Sequence, residues 1–140
     1  SKLNPMSSAA YSQLHVLIVD DFNSFRQTLN KIIRELGFKH VDSVKSGEEA
    51  LNAFKKNHYD LVLCDYNLGS GKNGHQVLEE LRESRRIKPE DDFILLSAET
   101  SRNVVMSAFD CEPDAYLTKP ISIKTIEQRV KRLLKKRKEL

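Results

Sequence analysis

Short apolar runs alternate with longer amphipathic stretches along this chain. Five runs, at residues 14–19, 40–44, 60–64, 93–97 and 115–118, have the length and the Val, Ile, Leu and aromatic content typical of β-strands. The stretches that follow them, at residues 22–36, 46–57, 74–85, 100–109 and 122–138, space apolar residues three or four positions apart, which predicts helices. Gly37 is typical of a residue that ends the first helix. The pattern predicts five strand–helix units.

This alternation indicates a parallel sheet, because parallel neighbours need a crossover that is usually a helix. The first and third runs are almost continuously apolar, as expected of strands covered on both faces. Right-handed crossovers place helices on both sides, so the predicted fold class is α/β, a doubly wound five-stranded parallel sheet. A chain of 140 residues has the size of one domain, which we place at residues 13–138. We interpret residues 1–12 as a disordered segment or a cloning remnant.

Polar residues stand where the predicted strands end. Asp20 and Asp21 follow the first strand, Asp65 the third, Ser97 the fourth and Lys119 the fifth. Ligands of doubly wound sheets bind outside the carboxyl ends of the strands. If the strand order is 2-1-3-4-5, these side chains converge on one crevice.

Three neighbouring carboxylates repel one another, by about 1 kcal/mol per pair in water and several times that at a protein surface. A hard divalent cation with oxygen ligands would offset this repulsion, and Mg²⁺ binds through one or two carboxylates and a substrate phosphate. Lys119 supplies a second positive charge, suited to a phosphoryl oxygen or to a carboxylate. Alternatively, Asp20 and Asp21 only cap the first helix, which explains one carboxylate but not the match with Asp65 and Lys119.

The motifs VDD after the first strand, LVLCDYNL around Asp65, LLSAET at the fourth strand and YLTKP at the fifth occur in the order seen in one family. Over about residues 14–137 the chain resembles the CheY-like response-regulator receiver domain. The resemblance implies a flavodoxin-like fold and a signalling module, not a conventional enzyme, that catalyses its own phosphorylation and dephosphorylation.

The resemblance also implies roles for individual residues. Asp65 would be the phosphoacceptor, attacking a phosphohistidine of a sensor histidine kinase or phosphotransfer protein. Asp21 and Asp65 would bind Mg²⁺ directly, Asp20 through water, and Asn67 through its backbone carbonyl. Lys119 would pair with the phosphoryl group.

The output and the reset are implied in the same way. Ser97 would donate its hydroxyl to the phosphoryl group, and Tyr116 would turn inward, changing the face of the fourth helix, fifth strand and fifth helix; the alternative for Tyr116 is a half-buried strand aromatic. Asn67 and Glu99 flank the path of the water that hydrolyses the acyl phosphate, which predicts a short-lived phosphorylated state. Alternatively, Glu99 only caps or solvates the fourth helix.

One departure from the family lies after the acceptor, where receivers usually have a Met-Pro pair and a Gly eight residues on. Here DYNLGSGKNG lacks Pro and reaches Gly74 nine residues after Asp65. The loop is therefore one residue longer, and Gly69 and Gly71 loosen it. We interpret Lys72 in this loop as a solvated charge.

Charge is uneven along the chain. Residues 129–140 hold seven Lys or Arg and one Glu, although the formal net charge is only +3. We interpret this run as a solvated helix face that leads into a linker and a further C-terminal region, with nucleic-acid binding as the alternative. Expected partners are a histidine kinase or phosphotransfer protein and a downstream effector. No run approaches the roughly 20 apolar residues of a membrane span, so we expect a cytoplasmic location and no membrane insertion.

Cysteines and histidines indicate no other chemistry. Cys64 and Cys111 are far apart and are interpreted as packed or inert thiols. The histidines, at positions 15, 40, 58 and 75, are scattered, so no histidine metal site is expected.

Rival functions fit less well. A phosphatase of the phospho-aspartate class would need a second Asp two residues after the nucleophile, where this chain has Asn67. A nucleotide-binding domain would need a glycine-rich phosphate loop after the first strand, and none is present.

Overall fold

The structure is a computed structural model that describes residues 10–98 and 112–139, with the side chain of Glu139 left out. In chain order, its elements are β1 (His15–Val19), α1 (Asn23–Glu35), β2 (His40–Val44), α2 (Gly47–Lys56), β3 (Leu61–Asp65), α3 (Gly74–Glu83), β4 (Asp92–Ser97), β5 (Ala115–Thr118) and α4 (Ile123–Glu139). All five predicted strands are confirmed to within one residue at each end. The predicted helix at residues 100–109 lies outside the described residues.

The five strands form one parallel sheet in the order β2-β1-β3-β4-β5, as predicted. Every residue of the central strand β3 is buried, which explains its continuous apolar sequence. One face of the sheet packs against apolar residues of α1 and α4, such as Ile33 and Val130. The other face packs against α2 and α3, through residues such as Phe54 and Leu78. The described part of the chain is therefore a three-layer, flavodoxin-like α/β domain.

The core extends further towards the N-terminus than the sequence predicted. Residues 10–13 are helical, and Tyr11 is fully buried with its ring stacked on Phe38 at 5.1 Å between centroids. The interpretation of residues 1–12 as a disordered segment outside the domain is therefore wrong for Tyr11. A single aromatic in a polar segment gives no periodic signal, so its place in the core depends on the neighbouring α1–β2 connection.

Local signals fix two helix ends. Gly37 follows α1 with a positive φ of 114°, and the N–H groups of Gly37 and Phe38 donate to the carbonyls of Arg34 and Ile33. This is a Schellman ending, and it confirms Gly37 as the residue that stops α1. At the start of α3, Asn73 and Gln76 form a reciprocal capping box.

The basic end of α4 contacts carboxylates at the amino-terminal edge of the sheet. Arg129 donates to both oxygens of Asp92 at 3.0 and 2.9 Å, and Arg137 reaches Asp60 at 2.8 Å and Asp91 at 2.9 Å. Lys136 donates to the Asp91 carbonyl at 3.2 Å. The interpretation of this run as a solvated face is therefore wrong for these three cations, whereas Lys131, Arg132 and Lys135 are exposed as expected.

Histidines also meet partners that the sequence did not indicate. His58 Nε2 lies 2.8 Å from Asp91, and the ligand atoms of His58, Asp60 and Asp91 all lie within 4.8 Å of one another. The rings of His15 and His40 stack at 4.3 Å on adjacent strands. The prediction that the histidines are scattered is wrong for these three, because parallel pairing brings distant positions together. The Asp60 and Asp91 oxygens nearest α4 already bind the Arg137 guanidinium.

Within the described ranges, no helix combines the length and the apolar character needed to cross a bilayer.

Candidate functional site

The predicted polar side chains meet at the carboxyl-terminal edge of the sheet. Asp20 follows β1, Asp65 is the last residue of β3, and Lys119 follows β5. One ligand oxygen from each of Asp20, Asp21 and Asp65 lies within 4.8 Å of the other two. Asp20 and Asp65 are buried and Asp21 is exposed, so the cluster is open to solvent on the Asp21 side.

Lys119 connects two of these carboxylates. Its ammonium donates to Asp20 Oδ2 at 2.6 Å and to Asp65 Oδ2 at 2.9 Å, and only 16% of its side chain is exposed. Burial lowers the pKa of Lys119, but hydrogen bonds and charges from Asp20 and Asp65 outweigh burial and hold the pKa above its usual value. Lys119 is therefore a permanent cation that balances part of the negative charge.

Asp65 combines burial with a charged partner. Burial raises the pKa of its carboxyl, the Lys119 hydrogen bond and charge oppose that rise, and the Asp20 charge adds to it. The net direction is upward. Its Oδ1 accepts the N–H of Asn67 at 3.2 Å, while Oδ2 accepts Lys119. Each oxygen keeps a lone pair for a metal or an incoming phosphorus atom.

The first turn of α1 holds Asp20 in place. The N–H of Phe22 donates to Asp20 Oδ1 at 2.8 Å, and Arg26 Nη1 donates to the Asp20 carbonyl at 2.5 Å. In addition, the Lys119 ammonium lies 4.0 Å from the centroid of the Phe25 ring. Sequence reasoning missed Phe25 and Arg26. The signal was their place in the first turn of α1, because helical side chains tilt back towards the N-terminus of the helix, where Asp20 lies.

Comparison with known proteins identifies this arrangement. A sequence profile of the response regulator receiver domain matches residues 16–131, most of the chain. The chain belongs to the response regulator receiver domain family. Membership assigns it a phosphoacceptor role in two-component signalling.

Individual relatives agree with this assignment. Chemotaxis protein CheY-3 of Vibrio cholerae is 26% identical over 131 residues, covering 94% of this chain and 99% of the Vibrio protein. The response regulator TrrA of Thermotoga maritima, solved in complex with Mg²⁺ and BeF, is 31% identical with a TM-score of 0.73, covering 86% of this chain and 98% of that one. A CheY-like receiver domain from Methylobacillus flagellatus is 28% identical with a TM-score of 0.72, covering 86% and 98%.

The loop after Asp65 departs from the usual receiver pattern but still returns to the acceptor. The N–H of Gly74 donates to the Tyr66 carbonyl at 2.8 Å, and a Cβ on Gly74 would lie 2.4 Å from the Asp65 carbonyl oxygen. Only glycine fits there. Inside the loop, the Asn67 side chain accepts the N–H of Gly69 at 3.1 Å. Lys72 is a surface charge, as interpreted from the sequence, and it also forms an ion pair with Glu80 at 3.1 Å.

Of the other predicted residues, Ser97 contacts the backbone of Lys119. Ser97 ends β4, and its carbonyl accepts the N–H of Lys119 at 2.8 Å. Tyr116 stands on β5 with 39% of its surface exposed. Glu99 and Cys111 lie outside the described residues. Cys64, next to the acceptor, is fully buried, and burial raises the pKa of its thiol well above the usual value, which fits an inert packed thiol.

The residues present fit a magnesium ion. All the side-chain donors are carboxylate oxygens, which Mg²⁺ prefers, and the exposed Asp21 leaves one side of the cluster for the waters that Mg²⁺ keeps. Lys119 neutralises part of the charge of this cluster, so a cation and a phosphoryl group can both be accommodated.

Proposed function

We propose that this receiver domain accepts a phosphoryl group on Asp65 from the phosphohistidine of a sensor histidine kinase or phosphotransfer protein. The observation that carries the proposal is the convergence of Asp20, Asp21 and Asp65 within 4.8 Å, with Lys119 bonded to two of them. Such a group of acidic oxygens beside a fixed cation suits phosphoryl transfer, in which positioning and electrostatic stabilisation supply most of the catalysis.

Asp65 is the nucleophile. One of its oxygens forms the new P–O bond while the P–N bond to the donor imidazole breaks, and the electron pair of that bond stays on the nitrogen. The carboxyl has to be ionised for this step, and the ammonium of Lys119 at 2.9 Å favours the ionised form against the effect of burial.

Asp20, Asp21, Asp65 and the backbone carbonyl of Asn67 would hold Mg²⁺, which supplies positive charge to the transferring phosphoryl oxygens. Lys119 is placed to follow the phosphoryl group, because its ammonium is already bonded to the acceptor and carries three donors. Arg26 and the N–H of Phe22 keep Asp20 oriented during this exchange of partners.

Output would pass through Ser97 and Tyr116. The phosphoryl group adds a charge of about −1.5 to −2 and new acceptor oxygens beside the end of β4, and the Ser97 hydroxyl is suited to bind one of them. Movement of Ser97 would let Tyr116 turn inward from its exposed position, changing the surface around β5 and α4 that a downstream effector reads.

Dephosphorylation of Asp65 would depend on Asn67 and Glu99. A polar residue at each position can orient the water that attacks the acyl phosphate, whereas a bulky apolar residue would exclude it. The side-chain Oδ1 of Asn67 accepts the N–H of Gly69, so the side-chain N–H₂ would be the group that contacts this water.

The test is labelling with a small phosphodonor. Acetyl phosphate carrying ³²P and excess Mg²⁺ should label the wild type with an acid-labile, hydroxylamine-sensitive bond, as expected of an acyl phosphate. Asp65→Asn should remain folded, as judged by circular dichroism, and unlabelled. Asp42→Asn is a control that removes a carboxylate outside the cluster and should label normally.

Retention of the label in Asp65→Asn would move the nucleophile to another residue. Equal decay of the label in wild type, Asn67→Leu and Glu99→Leu would refute the proposed water positioning without affecting the acceptor assignment.

A further inference from the structure

The Lys119 ammonium has a third contact besides its two carboxylates. It donates to Asp20 and Asp65, and it lies over the ring face of Phe25, 4.0 Å from the centroid. Lysine carries three N–H donors, so two hydrogen bonds leave a third that neither carboxylate accepts. An aromatic face carries negative potential and attracts a cation within about 6 Å of its centroid.

The Phe25 ring is itself fixed by packing. It is partly buried against the apolar core below α1, near Ile121. It also lines a groove of about 280 Å³ formed by α1 and the turn after β5. The ring therefore presents a stable face to Lys119, and a partly buried site of this kind strengthens the attraction by removing water.

The ring differs from the carboxylates in what happens when a phosphoryl group arrives. The incoming oxygens compete with Asp20 and Asp65 for the ammonium, since all are anionic oxygen acceptors. A ring face does not compete for a proton in this way and can keep its contact throughout. It would hold the cation beside Asp65 without neutralising it.

We propose that Phe25 is a positioning residue for phosphoryl transfer, whose ring face keeps the Lys119 ammonium beside Asp65 through a cation–π contact. The inference rests on the proposed function, because it assigns Phe25 a part in the same reaction. It adds to the carboxylate cluster a residue on α1 that would act through Lys119.

The experiment separates the electrostatics of the ring from its shape. Phe25 is replaced by 4-fluoro-, 3,5-difluoro- and 3,4,5-trifluorophenylalanine, which progressively weaken the negative potential of the ring face while nearly keeping its size. We expect the rate of labelling by acetyl phosphate at saturating Mg²⁺ to fall in step with fluorination, to about threefold to tenfold below wild type. Phe25→Tyr, which keeps the ring face, should stay within about twofold.

Two further readouts are independent of the reaction. The ε-methylene protons of Lys119 should be shifted upfield by the ring in the wild type, and should lose that shift in Phe25→Leu. Mg²⁺ affinity, measured by calorimetry, should be the same in all these chains, since Phe25 is not a proposed ligand.

The outcomes are distinguishable. A labelled wild type with equal rates across the fluorinated series would overturn this inference and leave the acceptor assignment intact. Absence of an upfield Lys119 shift in the wild type would also overturn it. A wild type that takes up no label would overturn the proposed function together with this inference.

Discussion

At the scale of single residues, the ionised carboxylate of Asp65 is unfavourable in the folded protein. The pKa of its carboxyl is raised, chiefly by burial, so the folded chain binds a proton there more readily than the unfolded chain does. The ionised carboxylate therefore destabilises the fold at pH values above its folded pKa. That penalty disappears as the pH falls below the pKa of the unfolded chain, near 4.

Asp65→Asn should consequently be more stable than the wild type at pH 7 in EDTA. The amide removes the buried charge and its repulsion from Asp20, although it also weakens the bond to Lys119. We expect the melting temperature to rise by a few degrees. Thermal unfolding at pH 7 and at pH 4 tests this, because the difference should shrink at the lower pH. A wild type as stable as the variant at pH 7 would contradict the argument.

Gly74 is a second residue under tight constraint. A Cβ there would lie 2.4 Å from the Asp65 carbonyl oxygen and 2.7 Å from Leu95 Cδ2. Gly74→Ala should cost about 2–4 kcal/mol, because backbone and a buried side chain would both have to shift. Gly71→Ala is the matched control in the same loop.

At Gly71 the added methyl group would meet only the flexible Glu48 carboxylate, at 3.2 Å, together with a positive φ of 89°. Its cost should stay near 1 kcal/mol. Urea unfolding measures both variants, and equal costs would mean that the close approach of Gly74 to Asp65 is not what constrains this position.

At the scale of elements, α4 is fastened to the sheet by charge as well as by apolar packing. Its Val130 and Leu133 are buried, and its Arg129 and Arg137 bind buried carboxylates at the amino-terminal ends of β3 and β4. The basic residues of this helix therefore divide into those that satisfy buried aspartates and those that face solvent. Only the second set is available to an external partner.

Arg129→Ala should destabilise the fold strongly, because it removes the Nη2 donor to both oxygens of the Asp92 carboxylate, 2% exposed, and leaves only Lys136 nearby at 3.7 Å. We expect a loss of about 3–5 kcal/mol, against less than about 0.5 kcal/mol for the exposed Arg132→Ala. Burial already raises the pKa of Asp92 against the effect of Arg129, so the loss should shrink as the pH falls and Asp92 becomes protonated.

Adding Asp92→Asn to Arg129→Ala should recover part of the lost stability, since it removes a buried charge that only the more distant Lys136 would still balance. Urea unfolding of the single and double variants measures this coupling. No recovery would mean that Arg129 acts through packing rather than through charge.

At the scale of the whole molecule, the two ends of the sheet carry opposite electrostatic arrangements. The amino-terminal edge pairs its buried aspartates with α4, whereas the carboxyl-terminal edge holds three carboxylates, of which Lys119 bonds two. The first arrangement stabilises the fold and the second leaves negative charge for a cation. Stability of the whole domain should therefore respond to Mg²⁺.

Mg²⁺ binding to the folded state alone should add about 2.7 kcal/mol to the free energy of unfolding at a hundredfold excess over its dissociation constant. Asp21→Asn should lose most of this gain. Glu79→Gln, an exposed change on α3, should retain it. Unfolding by urea with and without Mg²⁺ measures the gain, and an equal gain in Asp21→Asn would exclude Asp21 as a ligand.

Sequence by itself determined the strands, their parallel arrangement and the residues of the acidic cluster. Strands such as β3 can be predicted from the sequence because a strand covered on both faces is a nearly continuous apolar run. The cluster can be predicted because parallel strands all end at one edge, so Asp20, Asp65 and Lys119 meet once the strand order is 2-1-3-4-5.

Only the tertiary structure decided the contacts that join one element to another. Arg137 meets Asp91 across 46 positions, Tyr11 stacks on Phe38, and Phe25 lies against Lys119. Such pairs leave no periodic signal in the chain. They depend on how far each helix is rotated and shifted over the sheet, which is set by the packing of many side chains together rather than by the residues on either side.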